Sequence, residues 1–170
     1  MGCPLRVVAI RLALPDHTTS FLVVNFIMAS IWITQPDLQI LNASTQNTAV
    51  SALGIELTAF GENWIQGRMP VDQRTRQPVG LLHGGASVVF AETLGSAGAN
   101  LCVDRNEHYC VGLDINANHI RGVASGWVIG TAEAMHIGRT TQVWAIRIED
   151  EAGKLVCLSR LTMAVTARPR

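Results

Sequence analysis

The segment Gly84–Leu101 constrains the fold of this chain more than any other. It contains no proline, few β-branched residues and many alanines, so it predicts the one long helix of the chain. The segment is apolar almost all round, which is typical of a buried helix rather than a surface helix. Its Gly95 and Gly98 each weaken the helix by about 1 kcal/mol relative to alanine. Glycines at these positions indicate that another backbone approaches the helix closely.

Stretches with the alternation of β-strands lie on both sides of this helix. Two precede it, 52–60 and 64–71, and form a predicted hairpin. Four follow it, at 109–121, 126–136, 141–149 and 155–166. This order predicts an α+β fold, in which an antiparallel sheet of about six strands wraps around one long central helix. A short peripheral helix is predicted further upstream, with Thr34 as its cap and Pro36 in its first turn.

Residues 1–30 are poorly patterned for a domain core. We predict that they form an N-terminal extension, poorly ordered or loosely docked, ahead of a single domain over 31–170. A signal peptide is the alternative, because an apolar run follows Arg6 and Arg11. Asn25 divides that run and no small-x-small cleavage site follows promptly, which favours an extension upstream of a natural start at Met28. No apolar run reaches the roughly 20 residues that span a bilayer.

The composition limits the classes of function. Hydrophobic residues make up 48% of the chain and charged residues 15%, which excludes intrinsic disorder. Thirteen basic residues balance 13 acidic ones, so no global field attracts nucleic acid. So little charge indicates that some apolar surface is buried against another subunit. The cysteines form no C-x-x-C pair and the histidines lack ligand spacing, so we predict buried thiols in a reducing cytoplasm and no metal site.

The entry to the long helix carries the most chemistry. His83, Gly84 and Gly85 lie where a loop meets the helix start, and there unpaired N–H groups and the positive end of the helix dipole favour a developing oxyanion. Glu92 is a carboxylate inside an otherwise apolar helix, so it needs either a partner or a function.

The spacing of these groups favours a site shared between subunits. Glu92 follows His83 by nine residues, which is about 13 Å at roughly 1.5 Å per residue. One reacting carbonyl therefore does not touch both residues within one subunit. Two such helices packed antiparallel across a two-fold axis would bring Glu92 of one chain to His83 of the other.

Each of these residues also has a purely structural interpretation. His83 is satisfied by the backbone in many helix entries, and Gly84 and Gly85 are equally suited to a tight turn. Glu92 has two candidate structural partners, His119 and Arg121. Taken together with Gln77, which precedes them, the residues favour the functional interpretation.

Three segments resemble the hotdog-fold thioesterases of the phenylacetyl-CoA type. They are Gln77–Thr93, Val111–Arg121 and His136–Trp144. The resemblance covers about residues 31–166 and is strongest to the 1,4-dihydroxy-2-naphthoyl-CoA thioesterases of bacterial menaquinone synthesis. It implies the hotdog fold, hydrolysis of an aromatic acyl-CoA, and no cofactor apart from the coenzyme A of the substrate. It also implies a cytoplasmic homodimer that assembles to a homotetramer, with no nucleic-acid or membrane partner.

The resemblance assigns roles to individual residues. Glu92 matches the catalytic carboxylate, acting as nucleophile or as general base on water. His83 and Gln77 match residues that bind near the thioester, and Gly84 matches the residue whose backbone N–H polarises the carbonyl. Ser96 matches a side chain of the acyl pocket. The other residues predicted to bind substrate, most of them along the CoA channel, are Gly85, His119, Arg121, His136, Gly138, Arg139, Thr140 and Thr141.

Three other functions stay open at this point. A proofreading aryl thioesterase of siderophore synthesis would use the same chemistry on another acyl group. A hotdog dehydratase of 3-hydroxyacyl thioesters fits Gln77 and the His83-Gly84-Gly85 arrangement less well. A non-catalytic acyl-CoA binding module would release no CoA, and residues 1–33 lack the basic charge of a DNA-binding segment.

Overall fold

The structure is a computed structural model that describes residues 30–169 with their side chains and residues 5–12 and 21–28 by their backbone. The chain divides into two compact units, residues 1–31 and residues 32–170. In the first unit, strands β1 (Leu5–Leu12) and β2 (Phe21–Met28) pair antiparallel. This hairpin is not predicted from the sequence. That residues 1–30 are an extension of the domain stays a prediction.

The second unit is a six-stranded antiparallel sheet with one long helix packed against it. Its helices are α1 (Leu38–Ser44), α2 (Ala49–Ala52) and α3 (Gly84–Leu101). Its strands are β3 (Glu56–Phe60), β4 (Trp64–Pro70), β5 (His108–His119), β6 (Trp127–Ile137), β7 (Thr141–Asp150) and β8 (Leu155–Ala167). The strand order is β3-β4-β6-β7-β8-β5, so β5 lies at one edge of the sheet. The α+β prediction, with six strands and a long helix, is confirmed.

The region ahead of β3 differs from the prediction. The first helix is capped by Asp37, whose carboxylate accepts hydrogen bonds from the N–H groups of Gln39 and Ile40 at 2.9 and 3.1 Å, so Thr34 is not the cap. Residues 49–52 form α2, and β3 starts at residue 56 rather than 52. The reason is local. Thr48 caps a new helical turn through a capping box, and these hydrogen bonds outweigh the short alternation of apolar residues that predicted a strand from residue 52.

Two glycines of α3 make room for side chains of the sheet. A β-carbon on Gly95 would lie 2.5 Å from Leu161 Cδ2, and one on Gly98 would lie 2.7 Å from Trp144 Cη2. The close neighbours of α3 are therefore side chains, which corrects the expectation that another backbone approaches. Trp144 is completely buried and stacks on Trp32 with 6.2 Å between the ring centroids.

The prediction that α3 is a buried helix is confirmed for the side that faces the sheet, but the other side is only partly covered in the single chain. Phe90 and Leu94 point to the sheet and are fully buried. Val89 is 36% exposed, and Glu92 and Thr93 are half-buried. Only one face of the helix packs against the sheet, so the other face is left for the cavity described below.

The described cysteines confirm the prediction of buried thiols. Cys102, Cys110 and Cys157 are buried and unpaired, whereas Cys3 lies outside the described residues. Burial raises the pKa of Cys102 to about 12, with a smaller contribution from the neighbouring Cys110. Burial also raises the pKa of Cys110 to about 11. Within the described part of the chain, none of the helices is long and apolar enough to cross a membrane.

Candidate active site

The N-terminus of α3 presents one free backbone donor in the predicted oxyanion loop. His83 is the capping residue, and its Nδ1 accepts a hydrogen bond from the Gly85 N–H at 2.8 Å. The neutral imidazole therefore carries its proton on Nε2, and the side chain is exposed. The Gly85 N–H is occupied, whereas the Gly84 N–H donates to no acceptor within residues 30–169. Gly84 thus offers a hydrogen bond at the positive end of the helix dipole.

A cavity of about 370 Å³ lies beside this free N–H. It is lined by Gln77, Gly84, His119 and Arg121, among others. The His119 ring packs directly on Gly84, where a β-carbon would lie 2.8 Å from His119 Nε2. Glycine at position 84 therefore admits the imidazole. The structure brings together four of the predicted site residues at this end of α3.

Glu92 lies in a different cavity, with a volume of about 720 Å³. Ser96 also lines it, and apolar side chains of α1, α2, β3 and α3 form most of its wall: Ile40, Leu41, Val50, Leu57, Val89 and Leu101. The ion pairs within residues 30–169 are Arg68–Glu56, Arg74–Asp72 and Arg147–Glu149. The structural pairing of Glu92 with His119 or Arg121 is therefore absent, and within the same range the carboxylate also accepts no hydrogen bond.

Glu92 and Gly84 contact different parts of β5. The Glu92 carboxylate packs on Gly112, where a β-carbon would lie 2.5 Å from Oε1. Gly84 packs on His119, seven residues further along the strand. Seven residues of strand correspond to about 23 Å at roughly 3.3 Å per residue. One chain therefore does not bring Glu92 and the Gly84 N–H to a common atom, as the helical spacing predicted.

A β-bulge lets one strand face α3 at both ends. The pairing of β5 with β8 shifts by one residue between Gly112 and Asp114, which leaves Leu113 as the extra residue. Side chains alternate along a strand, so positions an odd number apart face opposite sides. Gly112 and His119 are seven residues apart, so in a regular strand they would face opposite sides. The extra residue Leu113 brings them to the same side, where both lie against the helix.

The remaining predicted residues surround the turn between β6 and β7. His136, Gly138, Arg139, Thr140 and Thr141 line neither of these two cavities. Gly138 donates its N–H to the Thr141 carbonyl at 2.9 Å, which closes the turn. No role in the site was predicted from the sequence for Gly112 or for the α1 residues Ile40 and Leu41.

Comparison with known proteins defines the class of this chain. The family model of the thioesterase superfamily matches residues 79–157. The 1,4-dihydroxy-2-naphthoyl-CoA hydrolase of Escherichia coli is 47% identical over 135 residues, which cover 79% of this chain and 98% of that protein. The proofreading thioesterase EntH of Cronobacter turicensis is also 47% identical over 135 residues, with the same 79% and 98% coverage.

A solved structure agrees with these relatives. A mutant of the thioesterase PA1618 from Pseudomonas aeruginosa superimposes with a TM-score of 0.81 at 54% identity, covering 82% of this chain and 100% of that one. The chain therefore belongs to the thioesterase superfamily. The predictions of the hotdog fold and of a thioester-hydrolysing enzyme are confirmed. The roles predicted for single residues and the absence of a cofactor or metal stay predictions.

Proposed function

We propose that this protein hydrolyses an aromatic acyl-CoA to the free acid and CoA at a site built from two chains. The observation that carries the proposal is that Glu92 and the free Gly84 N–H lie against positions of β5 that are seven residues apart, Gly112 and His119. Each half of the site is incomplete alone, because the carboxylate lacks the oxyanion donor and the donor lacks the carboxylate.

The edge of the sheet supplies a route to the complete site. β5 is an edge strand, and its Val111 and Leu113 are 43% and 61% exposed. Exposed edge strands are templates for pairing with another chain. Antiparallel pairing of two copies of β5 across a two-fold axis would place the Gly112 end of one chain beside the His119 end of the other. Glu92 would then meet Gly84 of the second copy in a homodimer, which we propose assembles further to a homotetramer.

In this arrangement the chemistry follows from two groups. The thioester oxygen accepts the Gly84 hydrogen bond, so negative charge developing on it is stabilised. Glu92 either takes a proton from the attacking water or attacks the carbonyl carbon itself. On the first route the C–S bond breaks, the acid is released and the CoA thiolate takes the proton that Glu92 removed from water. On the second route the C–S bond breaks to leave a mixed anhydride on Glu92, the thiolate is protonated by water, and a second water hydrolyses the anhydride to the acid and restores the carboxylate. His83, through its exposed Nε2–H, and Gln77 orient the water or the leaving group.

The two cavities suit the two parts of the substrate. The larger one has mainly apolar walls with polar side chains among them, including Ser96, Asn100 and Arg105, which fits an aromatic acyl group that carries hydroxyls, such as 1,4-dihydroxy-2-naphthoyl. The smaller one contains His119 and Arg121, and a guanidinium suits the phosphates of CoA. We propose that coenzyme A enters only as part of the substrate, with no metal or other cofactor, and that the enzyme works in the cytoplasm.

The turn between β6 and β7 fits the same dimer. Thr141 pairs with Ala164 of β8, and Ala164 pairs with Val111 of β5, so the turn lies at the Glu92 end of the sheet. In the proposed dimer this end adjoins the smaller cavity of the second copy. His136, Gly138, Arg139, Thr140 and Thr141 would then approach a CoA bound mainly by the other chain.

A proofreading aryl thioesterase is the second candidate, because relatives with each printed function are 47% identical to this chain. Turnover of 1,4-dihydroxy-2-naphthoyl-CoA, benzoyl-CoA, a long-chain acyl-CoA and an aryl group on a carrier protein separates the two. Higher kcat/KM on the naphthoyl substrate supports the first candidate, and higher kcat/KM on the carrier-bound group supports the second.

Mixing two inactive variants tests the shared site. Glu92→Gln keeps the shape of the side chain but removes the base, so kcat should fall by about 10² or more. His83→Ala should also be inactive under the proposal. After complete subunit exchange at equal concentrations, half of the dimers are mixed and each holds one intact site, so about a quarter of wild-type activity should return.

The control for this experiment is the same mixture before exchange, with exchange itself followed by two affinity tags. If Glu92 and His83 served one site within a single chain, no mixed dimer would contain an intact site. Zero recovery after confirmed exchange would therefore overturn the shared site. Full activity of Glu92→Gln alone would overturn the role of the carboxylate.

A further inference from the structure

The space that receives the Glu92 carboxylate exists only because residue 112 has no side chain. A β-carbon at this position would lie 2.5 Å from Glu92 Oε1 and 3.5 Å from Cδ. The other atom near it, Leu161 Cδ1, is 4.0 Å away, an ordinary contact distance. The carboxylate is thus the one group that a larger residue 112 would displace.

Gly112 is not needed for the backbone of β5. Its φ does not lie in the left-handed region that favours glycine, unlike that of Gly54, Gly80, Gly126 and Gly153. A glycine inside a strand weakens it and often marks a place where another group approaches closely. Here the approaching group is Glu92, and the bulge at Leu113 directly follows.

The carboxylate has no other restraint within residues 30–169. No ion pair or hydrogen bond of its side chain orients it there, and Glu92 is half-buried. Its position is therefore determined by packing of the side chain between α3 and the bare backbone at Gly112. We infer that Gly112 is a positioning residue. Because it has no side chain, the Glu92 carboxylate is able to occupy the position in which it reacts. This inference rests on the proposed function, in which Glu92 performs the chemistry.

The variant Gly112→Ala tests this inference. Alanine fits the strand backbone, and the atom that it meets is the far end of a flexible side chain, so the fold should survive while the carboxylate moves to another rotamer. We expect kcat to fall about tenfold or more because a displaced base loses its reach to the reacting atoms. KM should stay unchanged, and so should the melting temperature and the oligomeric state.

The matched background is Glu92→Asp, which shortens the side chain by one methylene and withdraws the carboxylate from Gly112. Adding Gly112→Ala to Glu92→Asp should lower kcat by less than about twofold, since the space is no longer used. Equal loss in both backgrounds would mean that Gly112 acts on the fold, and would overturn the inference. Unchanged kcat in Gly112→Ala would overturn it as well.

These outcomes remain distinguishable from failure of the proposed function. If Glu92→Gln keeps full activity, the carboxylate has no chemical role and both proposals fall. If Glu92→Gln is inactive while Gly112→Ala is normal, the proposed function stands and only the positioning role of Gly112 is lost.

Discussion

The two cavities of this protein use the same helix in different ways. At the start of α3 the proposed working group is the backbone, because the Gly84 N–H donates to no acceptor within residues 30–169 and polar side chains lie beside it. Near the middle of α3 the proposed working group is one side chain, Glu92, in a cavity with mainly apolar walls. The smaller cavity depends on the helix N-terminus and on Gly84, whereas the larger cavity depends on the Glu92 carboxylate and on the space around it. Substitutions should therefore act on binding at one end and on catalysis or acyl preference at the other.

Arg121→Ala tests this difference at the smaller cavity, where we propose that CoA binds. Arg121 lines the smaller cavity and has no ion pair within residues 30–169. Removing a charged hydrogen bond to CoA should raise KM about tenfold and leave kcat nearly unchanged. Arg139→Ala should raise KM by a smaller factor. Steady-state kinetics measure both.

A control for Arg121→Ala is Arg160→Ala, which removes an exposed arginine that lines neither of the two cavities. Its KM should equal that of the wild type. A fall of kcat at constant KM in Arg121→Ala would contradict the division between the two ends.

Ile40→Ala tests the larger cavity, where we propose that the acyl group binds. Ile40 lines the larger cavity and is 65% exposed in the single chain. Losing part of its apolar contact with the acyl group should raise KM for an aromatic acyl-CoA by up to about fivefold. The free energy of unfolding should change by less than about 0.5 kcal/mol. Ile33→Ala is the matched control, because Ile33 is also 65% exposed but does not line this cavity. Equal effects of the two variants would contradict a role of α1 in binding the acyl group.

A chain that begins at Met28 should show the smallest effect. Residues 32–170 contain the six-stranded sheet, α3 and both cavities. We expect kcat, KM and oligomeric state to stay within about twofold of the full chain, since a unit with its own core folds alone. Loss of soluble protein would assign residues 1–27 to the fold. If the full chain instead gave a periplasmic product of reduced mass, residues 1–27 would be a cleaved signal peptide.

The sequence predicted the sheet and α3 well because their signals are long. Eighteen residues without proline marked Gly84–Leu101, and each strand after it is ten or more residues long. The start of the domain was harder, since Asp37 and Thr48 act through single capping hydrogen bonds that compete with weak periodicity.

The separation of the predicted residues could be inferred from the sequence, but their contacts could not. The nine-residue spacing of His83 and Glu92 placed them apart, and in the structure Gly84 and Glu92 line different cavities, while their roles stay predictions. The contact of Glu92 with Gly112 was not foreseen. Apolar residues alternate along β5 without a break in the sequence, at Tyr109, Val111, Leu113, Ile115 and Ala117. The bulge at Leu113, which appears only in the pairing with β8, therefore left no sign in the sequence pattern.

The packing of Trp144 has a spectroscopic consequence. Its ring fits against Gly98 of α3 and stacks on Trp32 at an interplanar angle of 14°. Two indoles held this closely in a rigid core give a chiral near-ultraviolet signal, whereas far-ultraviolet dichroism follows mainly the backbone. The near-ultraviolet band therefore reports whether α3 is seated on the sheet. A compact state that kept its helices and strands but loosened this contact would lose the band first, so the protein carries an intrinsic optical probe of the helix that joins its two cavities.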